Sequence, residues 1–202
     1  VQEIERILCG LRDPEQCLIL SPFRAGALGS AMLNQKLRHI FNKMPPMKCG
    51  YAIGDRVMQC VNRYQEGKNV RNGQIGKVVK IETKPHFRLT VDFEGVQVVY
   101  QKNELEDLTL AYATTIHRSQ GSEWPVVIMP LLDARSHFLH RPLMYTAVTR
   151  AKEHFYGVGS EQAFCRAAMR KETQRNSHLI DRLKRQLTTG RAVSYTHLRA
   201  HE

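Results

Sequence analysis

Two stretches constrain this chain most, because they are apolar without interruption: "EQCLILSPF", beginning at Glu15, and "WPVVIMPL", from Trp124 to Leu131. A strand with no polar face is covered on both sides, as in the buried parallel sheet of an α/β domain. Helical patterns accompany both strands. "GALGSAMLNQKLRHIFN" turns Leu33, Leu37, Ile40 and Phe41 to one side, and "RPLMYTAVTRAKE" carries Pro142 near its start. A further strand, "HFYGVG", leads into a helix around "SEQAFCRAAMR". Upstream, "VQEIERILCGL" spaces Val1, Ile4, Ile7, Leu8 and Leu11 as a helix does and reads as cut from the middle of a longer protein.

The pattern breaks at "KMPPMKCG", with its two prolines, and from 51 to about 108 the period falls to two. "RVMQCVNRY", "GQIGKVVKIET", "FRLTVDFEG" and "VQVVYQ" are short β-type runs parted by "EGKNVRNG", "KPH" and "EG". Several short strands with tight turns predict a small barrel. The fold class is therefore α/β, a parallel-sheet domain with a small β-barrel inserted in it. At the far end "NSHLIDRLKRQL" predicts a last helix capped by Ser177, with Leu179, Ile180, Leu183 and Leu187 along one face. The final residues, 189–202, are read as a non-native tail, since "SYTHLRAHE" resembles translated library-adapter sequence.

Charge suggests the partner. Lys and Arg number 30 against 19 Asp and Glu, a formal +11 spread along the chain, and such a surface attracts polyanions, nucleic acid first among them. Five scattered cysteines, Cys9, Cys17, Cys49, Cys60 and Cys165, form no C-x-x-C and point to a reducing, cytoplasmic setting. No apolar run reaches a membrane-spanning length. "HFLH" lacks metal-spaced partners, and "GQIGKV" has too short a spacing for a phosphate loop, so it is a β-turn.

Two loops are chemically loaded. "SPFRAG" presents Arg24 among small residues, and "HRSQGSE" offers Gly121 among hydroxyl, amide and carboxylate groups. Arg150 ends the helix "YTAVTRAK". Ligands of open parallel sheets sit beyond the carboxyl ends of strands, so Arg24 and Arg150 are expected to converge there on one phosphate-bearing ligand.

"YATTIHRSQGSEWPVVIMPL" resembles motif V, and "RPLMYTAVTRAKEHFYGVG" motif VI, of superfamily 1 helicases; "SQGSE" behind a barrel of this sequence is similar to the RecD-like branch, whose motif IV region "CLILSPFRAGALGSAMLN" resembles. The resemblance implies a second RecA-like domain (2A) over 1–48 and 109–188, with an SH3-like barrel (2B) over 49–108. It implies that Arg150 is an arginine finger for ATP and Arg24 a second phosphate sensor, with Gly121 and Glu123 at the nucleotide. Thr115, His117 and Ser119 would face single-stranded DNA, and Arg63, Lys68, Arg71 and Lys77 would add phosphate contacts from the barrel. ATP and Mg²⁺ would be held mainly by a first RecA-like domain. This chain has no G-x-x-x-x-G-K-[ST] and no acidic pair after an apolar strand. The resemblance thus implies a 5′ to 3′ DNA motor of which this chain is one half, inactive alone. Two alternatives stay open: the helicase portion of a conjugative relaxase, and a non-catalytic nucleic-acid-binding module.

Overall fold

The computed structural model describes residues 1–64, 69–131, 139–171 and Lys184; among the described residues nine strands form two sheets, and four α-helices pack on one of them. The expected last helix apart from Lys184, the tail, Lys68 and the first half of "HFLH" lie outside the described residues. The described residues of Val1–Lys171 form one unit.

The first sheet is parallel. It holds β1 (Cys17–Ser21), β7 (Ala113–Thr115), β8 (Trp124–Leu131) and β9 (Ala151–Gly159) in the order β7-β1-β8-β9. All five residues of β1 are buried, as its unbroken apolar run requires. Helices α1 (Gln2–Gly10) and α2 (Ser30–Phe41) cover one face, packing Ile4, Leu8, Leu33 and Leu37 against Cys17, Ile19 and Ile128. Helices α3 (Arg141–Val148) and α4 (Glu161–Met169) cover the other, where Leu143, Ala147, Ala163 and Ala167 meet Leu18, Leu20, Val127 and Met129. The inward residues of α1 and α2 are those whose spacing predicted the helices. Burial pushes the Cys17 thiol up to about 12.

The second sheet is antiparallel, ordered β5-β4-β3-β2-β6, from β2 (Arg56–Gln59), β3 (Ile75–Glu82), β4 (Arg88–Phe93), β5 (Val96–Tyr100) and β6 (Leu108–Leu110). Its core is Val57, Val78, Leu89, Val91, Phe93, Val98 and Tyr100. The "EG" turn between β4 and β5 has positive φ at both Glu94 and Gly95, the pairing that matches hairpin twist. Sequence periodicity gave the first four strands and missed two short ones, β6 and β7. These carry the chain out of the barrel and straight onto the edge of the parallel sheet.

Consecutive charged residues at the start of β2 join the two sheets. Asp55 is fully buried and accepts from the Ala52 N–H (2.7 Å), Asn42 Nδ2 (2.8 Å), the Tyr112 hydroxyl (3.0 Å) and Arg38 Nε, with which it forms an ion pair at 2.9 Å. Arg56 is 5% exposed and donates to the carbonyls of Cys17 (2.9 Å) and Glu15 (3.0 Å). Its guanidinium lies over Trp124 at 4.8 Å, Phe41 at 5.3 Å and Tyr112 at 5.4 Å. A buried cation is retained where its donors are satisfied and aromatic faces replace water. On α2, Asn34 donates to the Leu110 and Ala113 carbonyls and accepts from the Ala113 N–H, each at 2.8 Å. It clamps the point where β6 hands over to β7.

Removing the Asp55 carboxylate leaves four donors without their acceptor, so Asp55→Ala is expected to lower unfolding free energy by about 3 kcal/mol in urea titrations. A loss below about 0.5 kcal/mol, the range of ordinary surface substitutions, would contradict the assigned role.

Candidate nucleotide and nucleic-acid sites

Parallel pairing fixes where each candidate residue lies. Ser21 pairs with Thr115, and Cys17 with Val126, which itself pairs with His154. The loop after β1 and the end of β7 therefore sit at the carboxyl edge of the sheet. Trp124 pairs with Ala151, so Glu123 and Arg150, each preceding one of these residues, sit at the amino edge. At about 3.3 Å per residue the two edges are roughly 20 Å apart. The segment 116–123 runs back from one to the other as a succession of turns.

At the amino edge the Arg150 guanidinium is half-buried and held by neutral groups. Nε donates to the Thr146 carbonyl (3.1 Å), Nη1 to the Ser122 carbonyl (2.9 Å) and Nη2 to the Thr149 hydroxyl (3.2 Å). The Trp124 N–H donates to the Arg150 carbonyl at 2.8 Å, tying motif V to motif VI. Among the described residues Arg150 has no carboxylate partner, so its charge is uncompensated. Glu123 is exposed and reaches Lys152 at 3.6 Å, and Gly121 is exposed with φ +89, a conformation that suits glycine.

At the carboxyl edge a cavity of about 280 Å³ opens between the sheets, lined by Arg24, Arg118, Thr115, Ser30, Asn34 and Met58 among others. The loop is wound tightly there: Ser21 Oγ bonds the Leu28 carbonyl (2.6 Å), and a Cβ on Gly29 would lie 2.5 Å from the Ala25 carbonyl carbon. The Ser30 and Ala31 N–H groups donate to the Phe23 and Arg24 carbonyls. The start of α2 thus spends those two donors on its own loop, and Arg24 is the cation that the loop presents to the cavity. Arg118, which the sequence reading did not single out, joins the cavity and reaches Cys60 Sγ of the barrel at 3.7 Å. Its place in "HRSQG", a cation between His117 and Ser119, was the available signal. His117 is exposed beside it.

Four expectations change. Arg24 and Arg150 do not converge, because Arg24 follows the end of β1 while Arg150 precedes the start of β9. Nor do all the ligand groups lie beyond carboxyl ends, since a loop that enters a parallel strand lies at its amino end. Ser119 is 2% exposed and its hydroxyl donates to the Ile116 carbonyl at 2.8 Å, so it shapes the turn rather than facing a strand. Arg63 pairs with Glu104 and lies 4.8 Å over the Tyr100 ring, a barrel contact rather than a free cation. Arg71 and Lys77 are exposed, with Lys77 Nζ 3.9 Å from Glu15. Among the described residues no three His, Cys, Asp or Glu side chains gather as a metal site, and no helix is long and apolar enough to cross a membrane.

Residues 33–93 match the SH3 domain of ATP-dependent RecD-like DNA helicases, and residues 110–156 match the UvrD-like helicase C-terminal domain. The chain carries the C-terminal part of a RecD-like superfamily 1 helicase. The ATP-dependent RecD2 DNA helicase of Deinococcus radiodurans is 40% identical over 181 residues, covering 86% of this chain and 24% of that protein. The RecBCD enzyme subunit RecD of Mycolicibacterium smegmatis is 32% identical over 168 residues, 82% of this chain and 29% of that protein. This RecD-like chain spans about a quarter of the length of these curated relatives. A solved structure of Bacteroides Pif1 bound to single-stranded DNA aligns over 94% of this chain and 51% of that one, at 17% identity and TM-score 0.47.

In the RecD-like chain Ser119→Ala is expected to cost about 1 kcal/mol of stability, the value of one buried hydrogen bond, while affinity for a single-stranded oligonucleotide stays within twofold. A clear loss of affinity without loss of stability would return Ser119 to the nucleic-acid face.

Proposed function

We propose that this chain is the C-terminal motor half of an ATP-dependent DNA helicase that moves 5′ to 3′ on single-stranded DNA. One observation carries the reading: a single turn segment, 116–123, joins an amino edge suited to a nucleotide with a carboxyl edge suited to a strand. Whatever shifts Glu123 pulls on the backbone that bears Thr115 and His117. Such a link is what alternating closure and opening of two motor domains needs in order to become stepping.

The amino edge fits ATP held on a partner RecA-like domain. Arg150 is pre-placed by carbonyl and hydroxyl groups that do not neutralise it, so a γ-phosphate would be its first anionic partner, and charge developing on that phosphate is what an arginine finger stabilises. Glu123 can accept from the ribose hydroxyls, with Gly121 allowing close approach of the backbone. ATP supplies the phosphoryl group and the driving force. Mg²⁺ is assigned, with the ATP that it accompanies, to the partner domain.

At the carboxyl edge Thr115, His117 and Arg24, now with Arg118, would donate to backbone phosphates, a sequence-tolerant mode of binding. Arg24 moves from the nucleotide to the strand in this reading. Arg71 and Lys77 remain candidates for further phosphate contacts from the barrel. The relaxase alternative shares this half of the motor, whereas a pure binding module would have no use for an uncompensated arginine at the opposite edge.

In the protein completed by its N-terminal ATPase domain, Arg150→Ala is expected to lower the ATP turnover number by about 10³ or more, with single-stranded DNA affinity within twofold of wild type. The 202-residue chain by itself is expected to show no DNA-stimulated ATPase. Turnover that survives the substitution, or ATPase in the isolated chain, would overturn the reading.

A further inference from the structure

A second groove on the barrel holds charge that the motor reading does not use. Its volume is about 1220 Å³, and its lining includes His86, Phe87, Arg88, Gln101, Lys102 and Asn103. It lies between the turn that enters β4 and the 3-10 turn Lys102–Asp107 that follows β5. β4 and β5 are at the end of the barrel sheet opposite β2 and β6, the strands whose Met58, Thr109 and Leu110 line the inter-sheet cavity. The two openings share no lining residue, though both border the stretch of chain from Met58 to Arg63.

The charge balance of the groove is one-sided. Its one acidic lining residue, Glu104, is committed to Arg63 and, through a backbone bond of 2.7 Å, to the Gln101 N–H. Arg88 and Lys102 are exposed and form no ion pair among the described residues; Glu82, opposite Arg88 in the β3–β4 register, is held by Lys80 at 2.9 Å. Two unpaired cations facing one concavity repel each other unless an anion lies between them. Next to them the half-buried Phe87 ring lines both this groove and an adjoining recess of about 700 Å³, whose wall is mostly apolar: Pro46, Met47, Cys49 and Leu105. Lys102 also borders both. Cations beside an aromatic ring, with an apolar recess behind it, match a ligand that alternates phosphates and flat rings.

We infer that this groove is a second binding site for single-stranded nucleic acid, with Arg88 and Lys102 on successive phosphates and Phe87 stacking a base that turns into the recess. An acidic peptide would use the two cations but neither the ring nor the recess. The inference stands apart from the motor reading, because no residue lining this groove lines the inter-sheet cavity or contacts Arg150.

The test uses the 202-residue chain, a fluorescein-labelled thymidine 30-mer and anisotropy across a salt series. Arg88→Gln with Lys102→Gln is expected to weaken binding about tenfold near physiological salt and to lower the slope of log affinity against log salt by about 1.5, the value for two phosphate contacts on a single strand. Phe87→Leu is expected to weaken binding several-fold with the slope unchanged, since stacking releases no counterions. A control at the carboxyl edge, Arg24→Gln with Arg118→Gln, should act additively with the groove pair, so failure of one site is read separately from failure of the other. Unchanged affinity and slope in the Arg88/Lys102 variant would overturn the inference, as would a poly-glutamate peptide that displaces the oligonucleotide from wild type but does not respond to Phe87→Leu. Thermal melting of each variant shows that it is folded. If the glutamine pair melts early, Arg88→Lys with Lys102→Arg, which keeps both charges, should restore affinity and slope, and failure to do so in a folded protein would equally count against the site.

Discussion

Parallel pairing of β1 with both β7 and β8 is the constraint from which the functional geometry follows. Strands that run the same way cannot be joined by a tight hairpin, so the chain leaving Thr115 must travel back along the sheet before it can enter β8 at Trp124. The eight residues 116–123 make that return journey. Their first members lie at the carboxyl edge and their last at the amino edge, and the polar side chains of the segment are distributed between two environments as a consequence of topology alone. One segment of chain thereby reaches both edges of the sheet.

The barrel is not loosely appended to this frame. Asp55 and Arg56, adjacent in sequence and both buried, bond to α2, to the residues before β1 and to Tyr112, and Arg56 stacks on Trp124 at the amino edge. Burial opposes the guanidinium's charge and lowers its affinity for the proton, while Glu15 and the surrounding groups oppose that fall. Such a junction is expensive to desolvate and therefore demands a specific arrangement, so hydrogen bonds and ring contacts from these two residues hold the barrel and the sheet in one orientation. Asn34 adds a third fixed point where β6 becomes β7.

Much of this was legible in the sequence, and the failures are instructive. Uninterrupted apolar runs located β1 and β8, and the period of two located four barrel strands, because burial on two faces or one is written directly into residue choice. Three-residue strands such as β6 and β7 are too short to show a period; their pairing partners, not their composition, make them strands. The misplacement of Arg24 with Arg150 came from treating all loops of a parallel sheet alike. Whether a residue follows or precedes a strand was visible in the sequence, and that distinction separates the two edges. The fate of Ser119 and Arg63 was not visible, since a hydroxyl or guanidinium reads the same whether it meets solvent or a carbonyl a few residues away. Asp55 and Arg56 look like surface charges within "GDRVMQ" and are instead buried and bonded where the two sheets meet.

Hydrogen–deuterium exchange on the complete protein tests the separation of edges most directly. The account predicts that single-stranded DNA slows exchange in 22–26 and 113–118, while a non-hydrolysable ATP analogue slows it in 120–124 and 149–152. Protection of one and the same edge by both ligands would contradict it.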